Sequence, residues 1–366
     1  MSTESQQAAI ALHGVVCAYP GAAAPALRGI SLHVREGEFF SILGPSGSGK
    51  TTALRVMAGF ERPGAGTVSL AGRVVSAPRL HVPPDKRNVG IVFQDYALFP
   101  HLTVGQNIAF GLRSVPPAQR EAAVEPLLHM SGLEGLAGRY PHELSGGQQQ
   151  RVAVVRALAP GPVAVLLDEP FSNLDRQLRG ALRRDVRSLI ARSGATAVLV
   201  THDREEALAL ADRVAVLAEG RVEQVDTPQQ LFEQPVSALV AQMAGPCELL
   251  PGTYRGGAVE TLAGTFLAEW PGGALTDGSP VQALIRSYEL AVEPVAPEGA
   301  PVTCAQVLYA EFGGAVVDYD LRFGSGHELR LRQSSDLNLE AGQTVRLRLK
   351  AGRTLRVFPA NQAAGD

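Results

Sequence analysis

Eight consecutive residues, Gly44-Pro45-Ser46-Gly47-Ser48-Gly49-Lys50-Thr51, constrain the fold of this chain more than any other segment. In the pattern Gly-x-x-x-x-Gly-Lys-[Ser/Thr], glycines let successive backbone N–H groups wrap a polyphosphate, the lysine reaches the terminal phosphates, and the hydroxyl faces magnesium. The pattern has this meaning only between a strand and a helix. Both flanks are present: Glu38-Phe39-Phe40-Ser41-Ile42-Leu43 reads as a buried strand, and Lys50 to Ala58 is helix-prone and closes at Gly59. Of 33 basic residues only Lys50, Lys86 and Lys350 are lysine. A compact ammonium suits the space between phosphates better than a planar guanidinium, so lysine at position 50 has a chemical reason.

A second segment, Leu144-Ser145-Gly146-Gly147-Gln148, precedes Gln149-Gln150-Arg151 and the apolar run Val152 to Val155. Ser145 and Gln148 are spaced as a capping box, which predicts a helix start there. Such a terminus offers unpaired N–H groups and the positive end of a dipole, and the two glycines permit close approach by an anion.

With both motifs in place, the chain resembles the ATP-binding subunits of ATP-binding cassette (ABC) transporters, strongly over about residues 10 to 240. The resemblance implies a pair of cassettes lying head to tail, the signature 144–148 of one closing over the γ-phosphate held by the other. It implies ATP contacts at Tyr19, Gly44, Pro45, Ser46, Gly47, Ser48, Gly49, Lys50, Thr51 and Thr52, with Tyr19 stacking on adenine. Magnesium falls to Thr51, Gln94 and Asp168.

The remaining elements follow the same resemblance. Val89 to Phe93 is a β-branched run ending at Gln94, which matches a glutamine that reaches magnesium or the attacking water. The apolar segment Tyr96 to Phe110 lies where coupling helices of membrane subunits dock in the family. Ser114 to Met130, with Pro116 and Pro117 at its start, predicts a helix of the subdomain that carries the signature. Val163 to Leu167 reads as a parallel strand buried on both faces and delivers Asp168 and Glu169 at its carboxyl end, where ligands bind in such sheets. Asp168 matches the magnesium anchor and Glu169 the carboxylate that orients or deprotonates water. Asp175 matches the D-loop aspartate. Thr196 to Thr201 is a further strand ending at His202, which matches a switch histidine on the γ-phosphate, ahead of a helix that Asp203 and Glu206 could cap. Glu219-Gly220-Arg221 reads as a hairpin turn.

The whole chain of 366 residues is long enough for two cores. Its formal net charge of -3 leaves no polycationic footprint for nucleic acid. Cys17, Cys247 and Cys304 are odd in number and scattered, which favours reduced thiols over a disulfide framework. The polar N-terminus lacks the order of a signal peptide, and the longest apolar runs are too short to span a bilayer. The expected fold is an α/β P-loop cassette with a helical subdomain over residues 1–240, then a small all-β OB-like barrel over 245–366. The barrel is predicted from strict alternation in Val317 to Phe323 and Thr344 to Lys350. This tail resembles the transport-associated domain of importer cassettes, although Arg286-Ser287-Tyr288-Glu289 replaces the family's Arg-Pro-Glu. Arg322, Arg330, Arg332, Arg346, Arg348 and Arg356 read as a solvated strand face, not a nucleic-acid stripe.

The resemblance implies the ATPase subunit of a solute importer at the cytoplasmic face of the inner membrane. Its partners would be a second copy, two transmembrane permeases and, indirectly, an extracytoplasmic solute-binding protein. Phe93 to Val104 looks most like polyamine and ferric-iron importers, with sugar, sulfate and phosphonate systems as alternatives. An ATPase acting on DNA or ribosomes is disfavoured by the single cassette and the absence of a long heptad insertion between Lys50 and Ser145.

Overall fold

The computed structural model describes residues 8–112, 115–172, 176–297 and 301–360. Two compact units result, Met1–Leu231 and Phe232–Asp366.

The first unit is built on β1 (Ala8–Cys17), β2 (Leu27–Arg35), β3 (Phe39–Leu43), α1 (Lys50–Ala58), β4 (Ala65–Leu70), β5 (Arg73–Ala77), β6 (Leu80–His81) and β7 (Val89–Val92). It continues through α2 (Val104–Gly111), α3 (Pro117–Ser131), α4 (Gly146–Leu158), β8 (Ala164–Asp168), α5 (Arg176–Ser193), β9 (Thr196–Thr201), α6 (Arg204–Leu210), β10 (Arg213–Ala218) and β11 (Arg221–Asp226). Its main sheet has the order β11-β10-β3-β9-β8-β7, parallel throughout except for the β10–β11 hairpin. Every residue of β3 and β9 is buried, as continuous apolar strands covered on both faces require. A second, antiparallel sheet, β2-β1-β4-β5-β6, shares a hydrophobic core with it through α1. Helices α2, α3 and α4 pack together as the helical subdomain. Pro117 occupies the first turn of α3, and Gly132, at φ 63°, ends it. Asp175 lies outside the described residues.

The second unit contains α8 (Ala238–Ala244), preceded in the chain by α7 (Pro228–Glu233), and then β12 (Glu248–Arg255), β13 (Ala258–Thr261), β14 (Gly264–Glu269) and β15 (Pro280–Ile285). The remaining strands are β16 (Leu290–Pro294), β17 (Ala305–Phe312), β18 (Val316–Phe323), β19 (Glu328–Ser334), β20 (Thr344–Leu349) and β21 (Leu355–Pro359). The closed barrel is β12-β13-β14-β21-β15. It is not wholly antiparallel: β14 and β21 pair in parallel. A ring with an odd number of strands cannot alternate direction all the way round, so one parallel pair is a geometric necessity.

The alternating segments 317–323 and 344–349 lie in a neighbouring five-stranded sheet, β16-β20-β17-β18-β19, whose buried face joins the barrel in one core. Alternation reports a half-buried antiparallel strand, and both an open sheet and a barrel produce it. The units meet at Leu231 and Phe232, ahead of Gly245. Two contacts explain why 232–244 groups with the tail. The Arg286 guanidinium lies 3.8 Å from the centre of the Phe232 ring. Ala241 on α8 packs against Leu284 and Phe358.

Candidate nucleotide site

Strand β3 ends at Leu43 and the chain turns through the phosphate loop into α1. The turn is confined from behind. A Cβ on Gly44 would lie 2.1 Å from the Leu217 carbonyl oxygen, and one on Gly49, at φ 102°, would lie 2.4 Å from that of Ala26. Glycine is therefore demanded at both places by close backbone approach. The hairpin turn at Glu219 (φ 45°) and Gly220 (φ 75°) braces the same loop. The Gly220 N–H donates to the Ser48 carbonyl at 3.0 Å, while the Gly220 carbonyl accepts from the Arg28 N–H at 2.8 Å. Positive φ at both central residues gives the turn geometry suited to a tight hairpin. The sequence marks this turn but not its position under the phosphate loop.

Lys50 is buried, and its Nζ donates to the carbonyls of Gly44 at 2.9 Å and Pro45 at 2.8 Å. Burial pushes its pKa down, against the pull of the Glu169 and Asp168 carboxylates. The Ser48 hydroxyl is buried and has no hydrogen-bond partner among the described residues. Within the first turn of α1, Thr51 is half-buried, and the Thr52 hydroxyl lies 3.2 Å from the Tyr19 hydroxyl. Pro45, Ser46 and Gly47 are exposed at the loop's rim.

The acids arrive from the neighbouring strands. Asp168 closes β8, and burial followed by the adjacent Glu169 charge raises its pKa, with Arg55 and Lys50 opposing. Glu169 has φ 45°, a left-handed conformation uncommon for a side chain of this size. The Glu169 N–H donates to the Val200 carbonyl at 3.0 Å, and the Glu169 carbonyl accepts from the Ser172 hydroxyl at 2.9 Å. One carboxylate oxygen of Glu169 lies 3.0 Å from His202 Nδ1. Residues 33 apart in sequence thus meet where parallel strands end.

Asp203 caps α6 by accepting from the N–H groups of Glu205 at 2.8 Å and Glu206 at 3.4 Å. Glu206 does not complete a capping box. Its buried carboxylate accepts from the Thr201 hydroxyl at 2.6 Å, and the same hydroxyl accepts from the Asp203 N–H at 3.0 Å.

Gln94 is exposed just beyond β7. The loop after it is fixed by Arg156 of α4, which donates to the carbonyls of Ala97 at 2.7 Å and Tyr96 at 2.9 Å and lies over the Phe99 ring. Sequence inspection misses Arg156, because nothing local distinguishes it from another helical arginine. Phe93, Phe99 and Phe110 line a cavity of about 400 Å³ beside it.

Ser145 is the N-cap of α4 in a complete capping box: its hydroxyl accepts from the Gln148 N–H at 3.4 Å, and Gln148 Oε1 accepts from the Ser145 N–H at 2.9 Å. Leu144 is buried, whereas Ser145 is exposed and Gly146, Gly147 and Gln148 are half-buried. Among the described residues, no hydrogen bond joins 144–148 to the phosphate loop of the same chain.

A phosphate loop at the end of a central parallel strand, with an acid pair closing the second strand along, defines a P-loop nucleoside triphosphatase cassette. A family model described as ABC transporter matches residues 27–172. The sulfate/thiosulfate import ATP-binding protein CysA 2 of Chromobacterium violaceum is 45% identical, with 81% of this chain and 80% of that protein covered. The spermidine/putrescine import ATP-binding protein PotA of Pseudomonas fluorescens is 41% identical over 91% of each chain. A dimeric ATP-binding cassette solved in a post-hydrolysis state with ADP and Pi superposes with a TM-score of 0.51 at 32% identity, covering 60% of this chain and 98% of that one. The chain belongs to the ABC transporter family, among its importer-type ATP-binding subunits, which are ATPases. Among the described residues, no helix is long and apolar enough to cross a membrane.

Proposed function

We propose that this chain works as a head-to-tail homodimer that binds two Mg-ATP, closes, drives two membrane permeases and reopens after hydrolysis. The observation that carries the reading is the 3.0 Å contact between Glu169 and His202, formed beside Asp168 at the ends of β8 and β9 and within the electrostatic reach of Lys50 at the start of α1. Lys50 would exchange the carbonyls of Gly44 and Pro45 for phosphate oxygens. Charge-assisted hydrogen bonds of that kind are worth about 1.5–3 kcal/mol each. The orphaned Ser48 hydroxyl and the loop's backbone N–H groups would complete the anion cradle.

Glu169 takes the proton of the attacking water, and His202 holds the carboxylate toward the γ-phosphate position. Thr51, Asp168 and Gln94 are suited to magnesium, whose donor set in such sites is a hydroxyl and one carboxylate together with nucleotide phosphates. Bound magnesium would supply charge neutralisation on the phosphates. Burial of Asp168 beside Glu169 supports this assignment, because a cation there offsets the cost of the two charges. Tyr19 contributes the adenine face, and the partner's signature 144–148 closes the site.

The cavity at Phe93, Phe99 and Phe110 is proposed to receive a permease coupling helix, which would hold the chain as a peripheral subunit at the cytoplasmic membrane face. For the cargo we favour a polyamine, after the relative named for spermidine and putrescine, and a sulfate importer is the second reading. Glu169→Gln, assayed in vesicles with the co-expressed permeases, should lose turnover by about a hundredfold or more while ATP affinity stays within a few-fold. Normal turnover in that variant would refute the site. Uptake of labelled spermidine against sulfate in the same vesicles decides the cargo.

A further inference from the structure

Six arginines of the second unit form an apparent stripe, yet the structure treats them unequally. Arg322 pairs with Glu328, Arg330 with Glu311, Asp318 and Asp320, Arg332 with Asp318, Arg348 with Glu293 and Arg356 with Glu269. Among the described residues, no carboxylate forms an ion pair with Arg346. Glu293 stands directly opposite it across β16 and β20, but the carboxylate reaches Arg348, at 3.2 Å.

Basic side chains converge on one place. Arg346, Arg348, Lys350 and Arg353 line a cavity of about 530 Å³, together with Thr265 and Thr303, and among the described residues no Asp or Glu lines it. Arg346, Arg348 and Lys350 alternate along the outer face of β20 and just beyond it, while Val345 and Leu347 point into the core. Arg346 is half-buried, and among the described residues no carboxylate pairs with it to offset the cost of that burial.

We propose that this cavity is a binding site for a small organic or inorganic polyanion carrying two or more carboxylate or phosphate groups. The volume lies in the range of small-molecule sites and exceeds what a single monovalent ion requires. Planar guanidinium groups match carboxylate and phosphate oxygens in a bidentate manner, and the threonine hydroxyls add donors of lower charge. A multiply charged guest offsets the repulsion among four cations that have two carboxylates near them, Glu293 on Arg348 and Glu289 beside Arg353.

The test is calorimetric titration of the full chain in about 0.15 M salt. The phosphate loop is filled with ADP beforehand, and citrate and pyrophosphate serve as separate probes. Wild type should bind at least one probe, and the pair decides between carboxylate and phosphate chemistry. Arg346→Gln combined with Arg353→Gln should weaken that binding about tenfold or more, whereas Arg332→Gln, outside the cavity, should leave it within about twofold. Lys350→Gln changes an exposed side chain, keeps the fold, and should weaken binding several-fold. No binding of either probe to wild type, equal affinity in the cavity variants, or equal loss in Arg332→Gln would each overturn the proposal.

Discussion

At the scale of single residues, the cassette contains charged side chains held dry for different ends. Lys50 is buried among carbonyls that a phosphate can replace, so its desolvation serves binding. Glu206 is buried with a carboxylate that accepts from the Thr201 hydroxyl and faces Asp203, Arg183 and Arg179. Burial is the leading influence and raises its pKa, Asp203 adds to the rise, and the Thr201 hydroxyl and the two arginines oppose it. The unfolded chain carries the charged form more cheaply than the native one. Stability tied to Glu206 is therefore fully present below the unfolded carboxyl's pKa and is lost as pH rises through the raised native value. Glu206→Gln keeps an oxygen for Thr201 and removes the charge. Thermal unfolding followed from about pH 4 to about pH 8 should show the variant gaining on wild type toward alkaline pH. A constant difference across that range would show that ionisation of Glu206 is not the cause.

At the scale of elements, α1 is secured at both ends by groups distant in sequence. Its carboxyl end is held by Arg87, which is 3% exposed and donates to the carbonyls of Val56 at 2.8 Å and Met57 at 3.0 Å. Further bonds run to the Val82 carbonyl at 2.7 Å and the Ser76 hydroxyl at 2.6 Å. Burial lowers the Arg87 pKa to about 10. A Cβ on Gly59 would fall 2.3 Å from Arg87 Nε, so the glycine that ends α1 also makes room for the arginine. Arg87→Met should cost roughly 3 kcal/mol or more, because helix-end and loop carbonyls lose their donor in a dry place. Denaturant unfolding of the variant checks this, and a loss under about 1 kcal/mol would mean that water replaces the guanidinium.

Arg87 also marks what sequence can disclose. Strands β3, β8 and β9, the helix starts at Lys50 and Ser145, and the turn at Glu219 were legible because each is written in contiguous residues. Arg87, Arg156 and the left-handed Glu169 were not, since their roles depend on which loops the fold brings alongside. Glu206 shows the converse failure: a correctly spaced capping residue was drawn into the stronger, buried bond to Thr201.

At the scale of the molecule, the division at Leu231 and Phe232 makes a prediction about truncation. Residues Val240, Ala241 and Ala244 of α8 are buried, and Ala241 lies in a small cluster with Leu284 and Phe358 of the second unit. A chain ending at Leu231 should remain soluble and bind ATP. One ending at Ala244 keeps α8 without its partners and should aggregate more, as an exposed apolar helix face does. Light scattering of the two fragments at equal concentration separates them, and equal behaviour would argue against grouping α8 with the tail. On the proposed head-to-tail reading, the site in either fragment is completed by a second copy. Ser145 presents a capped helix terminus and two glycines, features that favour an anion. Head-to-tail pairing would bring Ser145 to the γ-phosphate held by the partner's Lys50. Ser145→Arg and Lys50→Ala chains should each fail to close on ATP alone. Mixed, they form heterodimers with one doubly damaged site and one intact site, so some ATP-driven closure should return, read by crosslinking across the seam. A mixture that never closes while wild type does would rule out the head-to-tail arrangement.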